Sequence, residues 1–439
     1  MAEKQKMKFW SIVLLTINSI IGTGIFLSPG SVAKLSGGLA PWIYLCAAVF
    51  ASVLAITFAS AAKYVTKNGA AYAYSKAAFG ENVGLYVGIT RFVAASIAWG
   101  VMATGVVKTT LSIFGYDSNN TLYITIGILM VINLTGTGIL TFVSDLSTIG
   151  KLLALGITII AGIIILLQTG HTNLSEINLL KDASGENLIP SMTVTGFVTA
   201  VISAFYAFTG FESIGRGASD MENPEKNLPR AIPLAIGIVA AIYFGIVLVS
   251  MFIDPKALIT SKEVVVLASV FKSKIISNII VYGALVSMFG INVAASFHTP
   301  RIFEAMAKEK QIPAYFDKRT SNGVPMRAFF ITALLAIVIP MVFGYNMVGI
   351  MIISSISRFI QFIVVPLGVI SFFYGKNREE VLDAKKNFVT DVFFPLLSVV
   401  LTIFLLVKFN WAAQFSLKTE SGDVVTNWYA ISAMVIGYV

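Results

Sequence analysis

Apolar runs of about 20 residues recur along nearly the whole chain, and this repetition constrains the fold more than any other feature. A helical run of that length matches the hydrocarbon core of a bilayer. Only 12% of the 439 residues are charged, so the chain cannot cover itself with polar surface. These features exclude an ordinary soluble enzyme, a disordered scaffold and a nucleic-acid binder. The sequence predicts an all-α integral membrane protein.

The runs predict about 12 transmembrane helices, in two groups of five followed by a final pair. The first five are expected near residues 9–34, 41–66, 83–112, 121–139 and 142–168. The second five follow a polar stretch and are expected near residues 193–217, 229–253, 275–305, 327–343 and 346–374. The last two are expected near residues 388–408 and 427–439, and we expect the chain to stop inside the twelfth. We treat residues 1–439 as a single transmembrane domain with repeats at about 9–168 and 193–374.

Lysine and arginine are divided unequally between the two sides of the predicted membrane. With the N-terminus in the cytoplasm, 19 of the 31 basic residues fall in inner loops and eight in outer loops. Cytoplasmic loops of membrane proteins carry an excess of Lys and Arg. We therefore expect the N-terminus inside and, with an even number of spans, the C-terminus inside as well. The formal charge of +9 reflects this topology and does not require a polyanionic partner.

Two further expectations come from the cysteine count and the N-terminal segment. Cys46 is the single cysteine, which excludes a disulfide framework and a multi-cysteine metal cluster. Because Cys46 lies inside an apolar run, we expect it in the core. No small-residue cleavage site follows the first apolar run, so we expect that run to be a retained span and not a signal peptide.

The first apolar run is interrupted at Asn18-Ser19 and again at Gly22-Thr23-Gly24. Backbone that unwinds at membrane depth is tolerated where it lines a cavity or is buried in protein; the alternative is close helix packing through small residues. The sixth run has its own interruption around Thr209-Gly210. Matching interruptions in two halves indicate a binding site between inverted repeats. Half-helix ends there bind an anion and a cation, the two charges of an α-amino acid.

These motifs resemble those of the amino acid–polyamine–organocation superfamily of transporters, which share the LeuT-type fold of five-plus-five inverted repeats. The resemblance rests on residues 22–26 (Gly-Thr-Gly-Ile-Phe) and 208–213 (Phe-Thr-Gly-Phe-Glu-Ser). It is extended by two predicted cytoplasmic segments, 220–233 and 301–313, and covers spans 1 to 10 in order. It is similar above all to the sodium-independent L-type and cationic amino acid transporters. The resemblance implies broken helices 1 and 6.

The resemblance also implies a substrate site at the two interruptions. Backbone N–H groups of residues 22–24 are expected to bind the substrate carboxylate, with Ser19 or Thr23 helping. Carbonyl groups on both interruptions are expected to receive the amino group, and Tyr206 is expected to gate the site or, alternatively, to be an aromatic residue packed in the core. The expected substrate-binding residues are Ser19, Ile20, Ile21, Gly22, Thr23, Gly24, Tyr206, Ala207, Phe208, Thr209 and Gly210.

Lys151 lies about nine residues into the fifth span, roughly 13 Å deep. An ammonium group there costs at least about 2.5 kcal/mol, so we expect it to point into the bundle. In sodium-independent relatives, a lysine similar in position replaces a coupling sodium ion beside span 1. We therefore expect Lys151 to bridge the break, either titrating as the proton-coupling group or acting as a fixed cation. The alternative is a side chain that reaches the inner surface.

Three other ionisable residues lie within the predicted spans near the interruptions. Glu212 is expected to be either a proton carrier or the structural partner of a cation. Arg358 is expected either to pair with Glu212 or to recognise an acidic side chain of the substrate. Arg91, near the inner end of span 3, is expected to reach the surface or to pair.

The sequence predicts a secondary active amino acid transporter that works by alternating access, and not an enzyme. No nucleotide motif or metal-ligand spacing is present in the sequence, so no cofactor and no metal are expected. The expected partners are an amino acid, the lipid bilayer and, for proton symport, protons, with no partner subunit and no nucleic acid. We expect the protein in the plasma membrane. A membrane channel is the alternative from another class.

The expected substrate is a small or medium neutral L-amino acid, carried without sodium by proton symport or by exchange. Arginine and polyamine exchangers of the superfamily place a tryptophan in span 8, at the position that our alignment gives to Ala295. Together with Lys151 and Arg358, this residue disfavours a cationic substrate. Acidic or polyamine-type substrates are the alternatives, and Arg358 and Ala295 are the expected specificity positions.

Overall fold

The computed structural model describes residues 7–66, 70–114, 137–181, 185–212, 221–261, 265–320, 324–343, 347–418, 424–428 and 431–432. These ranges are mostly helical. The first nine helices are α1 (Phe9–Ile20), α2 (Gly24–Leu27), α3 (Pro29–Ser36), α4 (Ala40–Tyr64), α5 (Ala71–Phe79), α6 (Glu81–Phe114), α7 (Thr137–Thr169), α8 (Val194–Phe205) and α9 (Pro224–Ile253). The next eight are α10 (Pro255–Thr260), α11 (Val266–Ser269), α12 (Lys274–Lys308), α13 (Met326–Val342), α14 (Met347–Ile356), α15 (Phe359–Phe373), α16 (Phe394–Lys408) and α17 (Trp411–Gln414).

Shorter elements complete the described chain. Short 3-10 helices occur at Gly37–Leu39, Leu174–Leu179, Tyr206–Phe208 and Ala314–Phe316, and a π-helical turn, Val389–Phe393, leads into α16. Near the C-terminus, β1 (Ser416–Lys418) pairs antiparallel with β2 (Val424–Thr426), with Leu417 opposite Val425.

Within the described ranges, eight segments are long and apolar enough to cross a membrane. They are Phe9–Leu27, Pro29–Tyr64, Glu81–Phe114, Leu146–Thr169, Lys226–Ile253, Lys274–Lys308, Val348–Phe373 and Val389–Lys408. Two shorter apolar helices, Val194–Phe208 and Met326–Val342, occupy the predicted sixth and ninth spans. The spans predicted near residues 121–139 and 427–439 lie mostly outside the described residues.

Small residues let the long helices approach one another closely. α12 packs along α7, and Gly150 of α7 faces Gly283 of α12. A Cβ on Gly283 would lie 2.7 Å from the carbonyl oxygen of Gly150, and a Cβ on Gly150 would lie 2.9 Å from that of Gly283. Glycine at both positions therefore allows the two backbones to meet.

Two helical runs break where the sequence predicts. α1 ends at Ile20 and α2 begins at Gly24, while α8 passes through a 3-10 turn to Gly210, where φ is +121°. The span predicted at 346–374 is present as Val348–Phe373, with a two-residue turn at residues 357–358 between α14 and α15. Hydroxyl groups of Ser355 and Ser357 hydrogen-bond to carbonyls four residues earlier and compete with the helical ladder there.

The expectation that Cys46 lies in the core of the helix bundle is wrong. Its side chain is exposed on the outer face of α4, in a row with the exposed Trp42 and Val49. Residues at this spacing share one helix face. Since α4 is apolar around its whole circumference, hydropathy carries no signal for which face meets protein and which meets lipid.

A buried carboxylate joins the start of α16 to the end of α4. Asp391, 0% exposed, accepts hydrogen bonds from Lys63 Nζ at 2.7 Å and from the Tyr64 hydroxyl at 2.7 Å. It also accepts one from the Ser60 hydroxyl, and the backbone N–H of Asn387 donates to it at 2.9 Å. A carboxylate removed from water is stable only with such a set of donors. The network fixes the two helix ends together.

We expect Asp391→Ala to lower the free energy of unfolding by about 3 kcal/mol, because the Lys63 ammonium and the hydroxyl groups of Ser60, Tyr64 and Thr390 lose their shared acceptor. Thermal unfolding of the detergent-purified protein, followed by circular dichroism, measures the effect. Asp383→Ala removes an exposed carboxylate from the preceding loop and is the matched control. Equal melting temperatures for the two variants would show that the network does not stabilise the fold.

Candidate functional site

The two helix breaks are in direct backbone contact. The Ser19 hydroxyl donates a hydrogen bond to the carbonyl oxygen of Gly210 at 3.1 Å. A Cβ on Gly210 would lie 2.3 Å from the carbonyl oxygen of Ser19, and a Cβ on Gly24 would lie 2.5 Å from the Cα of Ala207. Glycine is required at both places because the chains approach too closely for a side chain. Gly210 also has a positive φ that favours glycine.

The break in the first helix leaves helix-terminal backbone groups at the centre of the structure. The first hydrogen bonds after the break run from the N–H groups of Phe26 and Leu27 to the Thr23 carbonyl, at 3.1 and 3.2 Å. The N–H groups that precede them open a helix and have no partner in its ladder. α2 continues into α3 through Ser28, whose N–H bonds to the Gly24 carbonyl. This helix start suits an anion.

Lys151 of α7 closes the other side of the same break. Its ammonium group donates to the Asn18 carbonyl at 3.1 Å, to Asn18 Oδ1 at 2.8 Å and to the Ile21 carbonyl at 2.8 Å. Thr148, one turn earlier, donates to the same Asn18 side chain at 3.0 Å. Lys151 is 3% exposed, so the side chain does not reach the surface. A cation at the C-terminal end of α1 also complements the helix dipole.

A second charged cluster surrounds Glu212, just after the break in the other half. Glu212 Oε2 accepts the backbone N–H of Gly210 at 2.8 Å. Oε1 forms ion pairs with Arg91 of α6, at 3.2 Å, and with Arg358 from the interruption between α14 and α15. All three charged side chains are buried. One carboxylate therefore faces two guanidinium groups, and the Glu212–Arg358 pair expected as one alternative is present.

A cavity of about 560 Å³ lies between the two breaks and helices α6, α7 and α12. It runs from the break along the C-terminal half of α1 as far as Leu15. Twelve of the expected site residues line it: Ser19, Ile20, Gly22, Thr23, Gly24, Lys151, Tyr206, Thr209, Gly210, Glu212, Ala295 and Arg358. Tyr206 and Thr23 line the cavity from opposite breaks.

Ile21, Ala207 and Phe208 are expected site residues that do not line this cavity. The carbonyl of Ile21 accepts the bond from Lys151, and Ala207 packs against Gly24. The ring of Phe208 is buried against Tyr44 and Tyr243, with ring centroids 6.5 and 5.1 Å apart. These three residues support the breaks through contacts outside the cavity.

The cavity also contains residues that the sequence analysis did not place in the site. Two of them could have been predicted from the sequence. Asn18 is a polar residue at the interruption, and Arg91 is an ionisable residue inside a span. Ser147, His298 and Thr299 also line the cavity. Isolated polar residues in long apolar helices do not reveal which face they occupy, so only the packing of α7 and α12 identifies these three.

The sequence is similar to a known family and to several known proteins. The profile of the family described as amino acid permease matches residues 7–438. An uncharacterized transporter of Mycobacterium tuberculosis is 39% identical over 99% of this chain and 92% of its own length. The serine/threonine exchanger SteT of Bacillus subtilis is 27% identical, covering 89% and 88%. The large neutral amino acids transporter small subunit 2 of Oryctolagus cuniculus is 25% identical, covering 94% and 77%.

We expect Gly210→Ala to destabilise the protein by at least about 2 kcal/mol, because the new methyl group would meet the Ser19 carbonyl and a positive φ is unfavourable for alanine. Gly237→Ala in α9 is the matched control, since open space surrounds that position and alanine favours a helix. Thermal melts of both variants in detergent provide the comparison. A Gly210→Ala variant as stable as the parent would contradict the contact between the breaks.

Proposed function

The chain belongs to the amino acid permease family, whose members are transporters and not enzymes, and from this premise we propose that it is a secondary active transporter working by alternating access. The observation that carries the proposal is the contact between two helix breaks beside a central cavity. The breaks present backbone N–H groups and carbonyl groups to the same space. Inside a membrane, such an arrangement can bind both charged groups of a zwitterion, because water is not there to solvate them.

The proposed architecture is a single transmembrane domain, residues 1–439, with about 12 helices in a five-plus-five inverted repeat of the LeuT type. Ten predicted spans within the described ranges support it. The broken helices open the first and second groups of five, as an inverted repeat requires. The excess of Lys and Arg in the loops of one side supports an orientation with both termini in the cytoplasm. The proposed location is the plasma membrane.

In the proposed substrate pose, the carboxylate lies at the helix start formed by residues 22–24, within reach of Thr23. The amino group lies at the C-terminal end of α1. The carbonyls of Ile21, Tyr206 and Ala207 already accept bonds from Lys151, Thr209 and Tyr243, respectively. This favours the Ile20 carbonyl, at the last residue of α1 and on the cavity wall, as the acceptor. Tyr206 covers the substrate from the other break.

Exchange without sodium is the proposed transport mode. The ammonium group of Lys151 donates to three oxygen atoms at the break and so acts as a fixed cation. These oxygens are therefore not available to coordinate a sodium ion. Glu212 is held by two arginines and a backbone N–H, which supports a structural role over proton carriage. The relatives named a serine/threonine exchanger and a large neutral amino acids transporter support a neutral amino acid as substrate.

An acidic amino acid is the second candidate substrate. Arg91 and Arg358 both line the cavity and share one carboxylate, so this cluster carries a net positive charge. A side-chain carboxylate on the substrate would balance that charge. We prefer a neutral amino acid as the substrate because both guanidinium groups already contact Glu212.

Uptake into liposomes that contain the purified protein tests the proposed function. We expect radiolabelled serine, threonine or a similar neutral amino acid to enter only when the liposomes hold internal amino acid, and to ignore sodium and proton gradients. Uptake driven by an inward proton gradient into empty liposomes would instead establish symport. Preferred uptake of aspartate or glutamate would favour the acidic substrate, and uptake of none of them would contradict amino acid transport.

We expect Lys151→Met to reduce exchange at least about tenfold, because the oxygens of Asn18 and Ile21 lose a charged donor. Lys108→Met, a lysine of α6 that does not line the cavity, is the control and should retain the parental rate. Both variants are compared at equal reconstituted amounts. Normal exchange in Lys151→Met, with unchanged sodium and proton dependence, would exclude Lys151 as the fixed cation.

A further inference from the structure

A second cavity, of about 400 Å³, lies where the C-terminal end of α4, the start of α9 and the segment leading into α16 meet. Four basic side chains line it: Lys63, Lys226, Arg230 and Lys385. It is separate from the central cavity and shares no lining residue with it. The transport proposal does not use it.

Among the described residues, ion pairs balance only part of the charge of this cavity. Lys63 is compensated by the buried Asp391 and also donates to the Lys385 carbonyl at 3.1 Å, which fixes the base of the cavity. Among the side chains that the structure describes, no carboxylate forms an ion pair with Lys226, Arg230 or Lys385. Three positive charges therefore converge on one recess. Such a recess attracts a phosphate group.

The surroundings of the cavity are apolar and exposed. Phe388, Val389 and Phe393 are 59%, 51% and 52% exposed at the start of the span that contains α16. Leu234, one turn beyond Arg230 on α9, is 40% exposed. In a membrane-spanning chain, exposed apolar side chains at a helix end face acyl chains. The site thus combines a basic recess at headgroup depth with an apolar flank, and a free phosphate ion would use only the recess.

We propose that this cavity binds the headgroup of an anionic phospholipid, with the acyl chains along Phe393 and Leu234. Basic pockets between transmembrane helices at the cytoplasmic face bind such headgroups, and the loop charges place this end of the helices at that face. A bound headgroup bridges α4 of the first group of five, α9 of the second group and the segment before α16. The lipid would stabilise the junction that Asp391 already holds.

Binding of phosphatidylglycerol to the detergent-purified protein, titrated by native mass spectrometry, tests this site. The test variant is the double substitution Lys226→Gln and Arg230→Gln, because both side chains are exposed and neither holds Asp391. We expect about 25-fold weaker binding, about fivefold for each basic residue removed. The control is Lys256→Gln with Lys272→Gln, two exposed lysines in predicted loops of the opposite membrane face, which should bind like the parent.

Two competitors identify the ligand class. Phosphatidylcholine should bind far more weakly than phosphatidylglycerol, and millimolar inorganic phosphate should not displace the lipid. Equal binding of phosphatidylglycerol by the parent and the test variant would overturn the proposal, as would equal binding of the two lipids. Displacement by inorganic phosphate would assign the recess to a free anion and also overturn it. The readout is lipid binding, so it stands or falls independently of the transport assays.

Discussion

The central site depends on how an interrupted helix satisfies its backbone groups without water. A break at membrane depth exposes carbonyls on one side and N–H groups on the other. Lys151 takes up the carbonyl side, through Asn18 and Ile21, while the start of α2 leaves its N–H groups facing the cavity. The lysine thus makes the break tolerable, while the N–H groups at the start of α2 stay available at the cavity wall.

The second break is held by a different charge arrangement. Glu212 accepts the Gly210 N–H and draws in Arg91 and Arg358 from two other parts of the bundle. The turn between α14 and α15 is also where Arg358 joins Glu212. Three discontinuities in the described helices therefore meet around one cavity. Buried ions in this site are paired, as their desolvation requires.

The two cavities treat positive charge differently. In the central cavity, Lys151, Arg91 and Arg358 each contact protein oxygens, which leaves backbone groups to recognise a ligand. In the second cavity, Lys63 is matched by Asp391, and within the described part of the chain no carboxylate pairs with Lys226, Arg230 or Lys385. The first arrangement is compatible with the zwitterion proposed as substrate. The second is compatible with the proposed anionic lipid, whose charge would complete the site.

The sequence by itself determined the membrane class, the positions of eight described spans and two shorter apolar helices, and the two glycine-marked breaks, because hydrophobic length and helix-breaking residues are local properties. It also identified Lys151, Glu212 and Arg358, since an ionisable residue inside a span is costly and therefore conspicuous. The break before α15, the outward face of Cys46 and the contributions of Ser147, His298 and Thr299 were decided only by the tertiary structure. When a helix is apolar on all sides, its sequence does not indicate which face contacts which neighbour. Those contacts are set only when the helices pack together.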